Sequence, residues 1–201
     1  MMNELTPLDN PVDALKATFR LHASGVAILT CSSLEGKPVG FTATSVTSLG
    51  ATPPLVSFNV ARGSSSWPSL EKAEYVALHT LGLDNLELAN RMAADHTKRF
   101  EPADWSLDAR GIPVIHGVTS VLILKIRQIV EVESNAVVIC DVVEGFVGTE
   151  QSPLLYHQRS YVTVDKLALF SIGQSIRVIN HSQLAERTQT KQTFYFGSKS
   201  G

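Results

Sequence analysis

Apolar and polar positions along this chain follow two different periods. Val12, Leu15, Phe19 and His22 recur at helical spacing behind Asn10-Pro11, a cap residue and a first-turn proline, and Gly25 stops the run. The spacing predicts an amphipathic helix over Pro11 to Ala23, packed on the chain that comes after it. Val26-Ala27-Ile28-Leu29-Thr30-Cys31 is a short apolar run instead. Turn-rich Leu34-Glu35-Gly36-Lys37-Pro38 succeeds it, and Val39 to Val46 resumes an extended pattern, the signature of a hairpin. Leu55 to Val60 is a further strand, with Pro53-Pro54 at its start because proline cannot donate to a ladder. Trp67-Pro68-Ser69-Leu70-Glu71 reads as a short helix with proline in its first turn, and Tyr75 to Leu81 as a strand. Asp84, with Glu87 three residues on, predicts a capped helix whose stripe is Leu88, Met92 and Ala93.

Lys98 to Gly111 reads as an irregular, partly aromatic loop. Beyond it stand three strand candidates: Val118 to Val130, Val137 to Phe146, and Tyr161 to Val164. In the first, Lys125 and Arg127 alternate with Leu124, Ile126 and Ile129 across two faces. About seven strands at hairpin-like spacing, with two main helices, predict a closed antiparallel barrel rather than a doubly wound sheet. The pattern weakens from Asp165 onward. Residues 165–201 carry five basic side chains against two acidic, with Ile172, Ile176, Val178, Ile179, Phe194, Tyr195 and Phe196 among them. This segment reads as a C-terminal arm laid over residues 1–164 or over a partner subunit.

Length and charge narrow the function classes. The 201 residues suffice for one domain with a sizeable core, or at most two small ones. A formal net charge of −2 gives no electrostatic reason to expect nucleic acid or an anionic membrane, which both demand a basic face. Cys31 and Cys140 lie far apart and form no CxxC pair, so both are expected as reduced thiols packed like small apolar side chains. Met1 to Asn10 lacks the apolar core of a secretion signal, and no run approaches the roughly 20 apolar residues of a spanning helix. A cytoplasmic protein is expected. The six histidines show no metal-ligand spacing such as HExxH, so no metal site is expected.

Candidate chemistry lies in three segments. Gly40-Phe41-Thr42-Ala43-Thr44-Ser45-Val46-Thr47-Ser48 places five hydroxyls in seven positions beside a glycine. Such a stretch gives a ligand several neutral hydrogen bonds and a close backbone; it also suits a strand chosen for β-propensity alone. Arg62-Gly63-Ser64-Ser65-Ser66-Trp67-Pro68 brings hydroxyls and free N–H groups to a helix start, where a phosphate would fit. Plain capping by Ser66 would account for that residue equally. Asp95-His96-Thr97-Lys98-Arg99-Phe100 ends a helix with adjacent cations that complement its C-terminus, and Arg99 can also grip a phosphate with its planar fork.

Taken in order, Phe19-Arg20-Leu21-His22-Ala23-Ser24-Gly25-Val26-Ala27-Ile28-Leu29-Thr30, then Gly40-Phe41-Thr42-Ala43-Thr44-Ser45, then Pro53-Pro54-Leu55-Val56 resembles the start of the flavin reductase-like family. Arg99-Phe100, Trp105, Gly111-Ile112-Pro113-Val114-Ile115 and Pro153-Leu154-Leu155-Tyr156 agree with it, so the resemblance spans residues 12 to 164. It implies a mainly β, FMN-binding split β-barrel, antiparallel and Greek-key-like, with a few flanking helices. It also implies a homodimer that holds FMN, or FAD, near the subunit interface and reduces it with NADH or NADPH, the nicotinamide stacking on the flavin and passing hydride to N5. By position, Thr42, Ala43, Thr44 and Ser45 would line the isoalloxazine and ribityl chain, and Phe58 and Asn59 would contact the flavin from the neighbouring strand. Ser64, Ser65 and Ser66 with Arg99 would take the phosphate, and Phe100 would pack nearby. The family often carries Gly-Asp-His before a strand; here Glu133-Ser134-Asn135 stands there, and Asn135 can hydrogen-bond a carboxamide but supplies neither charge nor proton.

The resemblance implies an NAD(P)H:flavin oxidoreductase, such as the reductase component of a two-component flavin-dependent monooxygenase with an oxygenase partner. A flavin-binding carrier or sensor without that activity is the alternative that Asn135 motivates, and a barrel that binds no flavin is a third. Residues 165–201 would cover the site or dock the oxygenase.

Overall fold

The computed structural model describes Leu5, residues 7–164 and the backbone of residues 178–179. The first helix, α1 (Pro11–Leu21), forms for local reasons: Asn10 Oδ1 accepts the N–H groups of Val12 (2.8 Å) and Asp13 (3.3 Å), and proline fills the first turn. The expected packing is not seen. No residue of α1 is buried, and Val12, Leu15 and Phe19 lie open. Its backbone meets the body where Gln158 N–H donates to Arg20 O (3.1 Å).

The next strands along the chain are β1 (Ser24–Gly25), β2 (Ala27–Ser32), β3 (Pro38–Ala43), β4 (Thr47–Ala51) and β5 (Pro54–Ala61). After the single turn α2 (Trp67–Leu70) comes β6 (Tyr75–Thr80), then a 3₁₀ turn (Leu83–Asn85) leading into α3 (Leu86–Ala93). The chain continues through β7 (Trp105–Leu107), β8 (Pro113–Ile115), β9 (Ser120–Val132), β10 (Asn135–Val147), β11 (Leu154–His157), β12 (Ser160–Val164) and β13 (Val178–Ile179). Thus α3 opens two residues later than the expected Asp84 start. Its entry is fixed by Asn85, whose Oδ1 accepts Gly82 N–H (2.9 Å) while Nδ2 donates to Gly117 O (2.8 Å). The expected loop of Lys98 to Gly111 contains β7, which pairs antiparallel with β8.

Seven strands form one antiparallel sheet in the order β3-β2-β6-β9-β10-β5-β4. The sequence-adjacent pairs β2–β3, β4–β5 and β9–β10 are joined by the non-adjacent pairs β2–β6, β6–β9 and β10–β5, giving the Greek-key character. A second sheet runs β1-β11-β12-β13, so part of the expected arm pairs on β12; the rest of 165–201 lies outside the described residues.

Along β5, Val56, Phe58 and Val60 are buried while Asn59 and Ala61 are exposed, the period-two pattern of a half-buried strand. These inward residues join Leu29, Leu78, Leu124 and Val138 in one apolar core, to which α2 adds Trp67 and Leu70. On the opposite sheet face, Ile28, Ala77 and Ile123 meet Leu88, Ala89 and Met92 of α3. Burial on both faces explains why residues 26–31 read as a continuous apolar run.

The expected closed barrel is not closed by a ladder: among the described residues no hydrogen-bonded pairing joins the edges β3 and β4. The sheet nevertheless curls, because Phe41 of β3 meets Phe58 of β5 at 6.3 Å between ring centroids. Ser45 bridges the gap with its side chain, its Oγ accepting Asn59 N–H (3.0 Å) and donating to Asn59 O (3.3 Å). The barrel is split at this seam.

One histidine and both cysteines are buried in structural roles. His79 is fully buried; one ring nitrogen, Nδ1, lies 3.2 Å from Ile28 O and Nε2 accepts Ile115 N–H (3.0 Å), which makes Nδ1 the protonated nitrogen. Burial pulls its pKa down to about 4, with the Ile28 hydrogen bond opposing. Cys31 and Cys140 are free, buried thiols, pushed up to about 12 by burial.

Candidate functional site

The three segments singled out from sequence meet at the carbonyl of Gly40 in β3. Arg99 donates to it from Nη1 at 2.7 Å, and Ser66 Oγ–H donates to it at 3.3 Å. Arg99 Nη1 also reaches Ser66 Oγ, at 3.5 Å. Its Nε and Nη2 both donate to Ala94 O, at 3.3 and 3.0 Å, just past the last turn of α3. Arg99 therefore caps that helix, as its position predicts, and locks three stretches of chain together. A guanidinium has five N–H donors, and four are engaged here. Partial burial lowers its pKa from the usual arginine value, with the Asp95 carboxylate opposing.

Gly40 is required by close approach. A Cβ there would stand 2.7 Å from Met92 Cε, 3.0 Å from Phe100 Cζ and 3.1 Å from Leu29 O. Phe100 in turn packs edge-on against Trp105 (5.4 Å), whose Nε1–H donates to Phe100 O at 3.1 Å. Sequence reasoning names Phe100 but misses the part Gly40 and Met92 play in placing it. The available signal is a glycine inside an extended run, which marks close approach.

The remaining hydroxyl strand divides by face. Thr42 Oγ1 donates to Ala89 O of α3 (3.4 Å), Ala43 is buried in the core, and Thr44 is exposed. Because β3 is an edge strand, its outward backbone groups lack a ladder partner among the described residues; Arg99 and Ser66 take the Gly40 carbonyl, which leaves the rest of that edge for a ligand. Across the seam, Asn59 is exposed, but Phe58 is fully buried. The strand's alternation turns the Phe58 ring into the core and Asn59 outward, so a ligand on that side would meet Phe58 through its backbone alone.

Of the serines, Ser65 is exposed and Ser66 is buried. Ser66 does not cap α2: its backbone is already helical, and its hydroxyl turns to Gly40. Ser64 Oγ is buried without a hydrogen-bond partner among the described residues. Such an orphan hydroxyl is costly unless something else satisfies it.

Asn135 is exposed at the start of β10, opposite Ala61 of β5, and so stands beside the entry to the serine segment. Arg62 binds this corner: its N–H donates to Ser134 O (2.9 Å), its Nη1 to Glu133 O (3.0 Å), and it pairs with Glu131 (2.8 Å).

The donor set fits a flavin nucleotide. It offers exposed neutral groups (Thr44, Asn59, Ser65), an open strand edge, an orphan hydroxyl at Ser64, and one cation with a spare N–H. A ligand with one charged end and several neutral polar edges matches that inventory.

Comparison with known proteins agrees. A family model described as "Flavin reductase like domain" matches residues 19–165. The chain is 39% identical over 151 residues to an NADH:FMN oxidoreductase from Rhodococcus qingshengii, covering 73% of this chain and 78% of that protein. It is 27% identical to the reductase component of a flavin-dependent trigonelline monooxygenase from Acinetobacter baylyi, over 78% of this chain and 50% of that protein. Among solved structures, a flavin reductase domain protein from Arthrobacter sp. FB24 superposes with a TM-score of 0.73 at 47% identity, covering 76% of this chain and 94% of that one.

Proposed function

Because this chain belongs to the flavin reductase-like domain family, we propose that it is an NAD(P)H-dependent flavin reductase that acts on FMN as a cytoplasmic homodimer and supplies reduced flavin to an oxygenase component. The observation that carries this reading is the contact of Ser66 and Arg99 at Gly40, which gathers the hydroxyl strand, the serine turn and the cation around one edge. FMN suits this donor set better than FAD, since one spare arginine donor matches one terminal phosphate. The relative named for NADH and FMN supports the same pairing, and the relative named as a monooxygenase reductase component supports the oxygenase. The open apolar stripe of α1 supports a second copy as partner. No described helix is long and apolar enough to cross a membrane.

Bound flavin supplies the hydride-accepting chemistry, and the protein supplies binding and orientation. Thr44, Asn59, Ser65 and the β3 edge, including the backbone of Thr42 and Ala43, would hold the pyrimidine edge and ribityl chain. Ser64 and Arg99 would take the phosphate, with Ser66 holding Arg99 in place. Phe100 would flank the ligand while it fixes the Gly40 stretch. Ser45 keeps the seam shut beneath them through Asn59. Asn135 would meet the nicotinamide carboxamide.

Purified protein given FMN should consume NADH or NADPH, monitored by loss of the near-ultraviolet absorbance of the reduced nicotinamide. No oxidation above a protein-free blank with either nucleotide overturns the reading. Flavin that binds but accepts electrons only from dithionite would establish the carrier or sensor instead, the reading Asn135 favours.

A further inference from the structure

A cleft opens beside α1. It has a volume of about 200 Å³ and lies between the last turns of α1 and the β11–β12 hairpin. Among the described residues its lining contains three cations, Lys16, Arg20 and Arg159, and no acidic residue. None of the three has an ion-pair partner among the described residues. Three like charges around one hollow repel one another, so the arrangement favours an anion.

Further features point the same way. His157 lines the cleft, and its Nδ1 is buried without a hydrogen-bond partner among the described residues. The two residues that turn the hairpin, Gln158 and Arg159, both hold left-handed backbone (φ 49° and 63°) although neither is glycine. Positive φ at both positions marks a type I′ turn, which usually takes Asn-Gly; Arg159 keeps a cation on the rim at the expense of backbone strain. Phe19 and Tyr156 add aromatic surface, and the Phe19 ring is 63% exposed.

Size and position then select the ligand. The volume falls below the roughly 300–1,000 Å³ that encloses a whole drug-sized ligand, so the cleft is sized for one end of a larger molecule. Tyr156 stands opposite Ser24, and Ala27, three residues on, stands opposite Ala43 of the hydroxyl strand. Three extended residues span about 10 Å. One ligand can therefore reach from the cleft toward the site described above.

We propose that this cleft binds a phosphate at the adenosine end of the reducing dinucleotide, with Lys16, Arg20 and Arg159 as its cations and Phe19 or Tyr156 against the adenine. The proposal rests on the reductase reading for the identity of the dinucleotide.

The test compares the full-length protein with an Arg20→Ala/Arg159→Ala variant, both positions being on the surface. Titration with ADP alone and with inorganic phosphate alone should show ADP binding that the variant weakens about tenfold or more, with phosphate as a weaker competitor. The KM for NADH or NADPH should rise by a similar factor, while FMN affinity changes less than twofold and the melting temperature holds. ADP binding unchanged in the variant overturns the proposal. So does a loss confined to FMN, which would make the cleft the flavin's phosphate site, and so does an unmoved KM. Failure of the wild type to bind FMN or oxidise either nicotinamide would sink the reductase reading, and the ADP titration would still decide the cleft.

Discussion

Arg99 donates to the carbonyl of Gly40 at 2.7 Å across 59 positions of sequence, and through the same guanidinium it holds Ala94 O. One side chain thus fixes the hydroxyl strand against the end of α3. Arg99→Ala removes charge-assisted hydrogen bonds to two carbonyls and should cost about 2 kcal/mol of stability, read from the urea midpoint. FMN affinity, measured by quenching of flavin fluorescence, should fall at least about tenfold. Arg99→Lys should recover little of either, because an ammonium cannot span both carbonyls. Full affinity in the lysine variant would show that a point charge suffices and the planar fork is not needed.

Gly40→Ala probes the same place through packing. Its Cβ would intrude on Met92 Cε, Phe100 Cζ and Leu29 O; the methionine end can shift, but the Leu29 carbonyl belongs to the backbone of β2. Overpacking of this kind costs about 1–3 kcal/mol. Since Phe100 is displaced too, flavin affinity should fall with stability. A variant of wild-type stability would mean that the Met92 and Phe100 side chains relax freely.

Phe58 and Asn59 are sequence neighbours with opposite duties. Phe58→Ala should destabilise the protein by about 3–5 kcal/mol, the usual loss for a fully buried phenylalanine, and affect flavin only through folding. Asn59→Ala should leave stability within about 0.5 kcal/mol, because only its backbone engages Ser45, yet weaken FMN binding. The assignment is wrong if Asn59→Ala binds FMN as the wild type does.

That pair also marks what pattern alone can and cannot convey. Val56, Phe58 and Val60 share one phase of a period-two run, so the inward turn of Phe58 is readable from the sequence, and the family resemblance obscures it. The β2–β3 hairpin, β5 and the long β9 are legible because their periodicity is dictated by a buried face. Strand β4 is not, since all five of its residues are exposed and leave no alternation. Strands β7 and β8, three residues each, are too short to carry a period. Periodicity also gives α1 its apolar stripe but has no means of saying what covers it. At the site, residue types reveal candidate donors. That Ser66 turns to Gly40 and Arg99 to Ala94 depends on long-range placement, which no local pattern encodes.

His79 makes stability depend on pH in a definite direction. Its folded pKa, about 4, lies below the unfolded value near 6.5, so between these the unfolded chain binds more protons. Its contribution is fully present above about pH 6.5 and is lost as pH falls toward 4, roughly 3 kcal/mol in all. Unfolding free energies across that window should decline for the wild type, and less steeply for His79→Gln, which starts lower because it cannot reproduce both ring contacts. Parallel profiles for the two proteins would show that His79 takes up its proton at the same pH whether folded or unfolded.

Asn135 is the position where this chain departs from the family pattern, and it is exposed at the head of β10 beside Ala61. Among the described residues its side chain makes one hydrogen bond, from Nδ2 to Ser134 Oγ at 3.4 Å. Asn135→His should therefore fold with unchanged stability. If the residue meets the nicotinamide, an imidazole adds a charge that a carboxamide cannot supply, and kcat/KM for NADH should change severalfold. The change should titrate with a pKa near 6.5, absent from the wild type, because histidine alone of the two gains a proton there. A rate profile that is identical at every pH from about 5 to 8 would place Asn135 away from the transferred hydride and leave orientation to the hydroxyl strand alone.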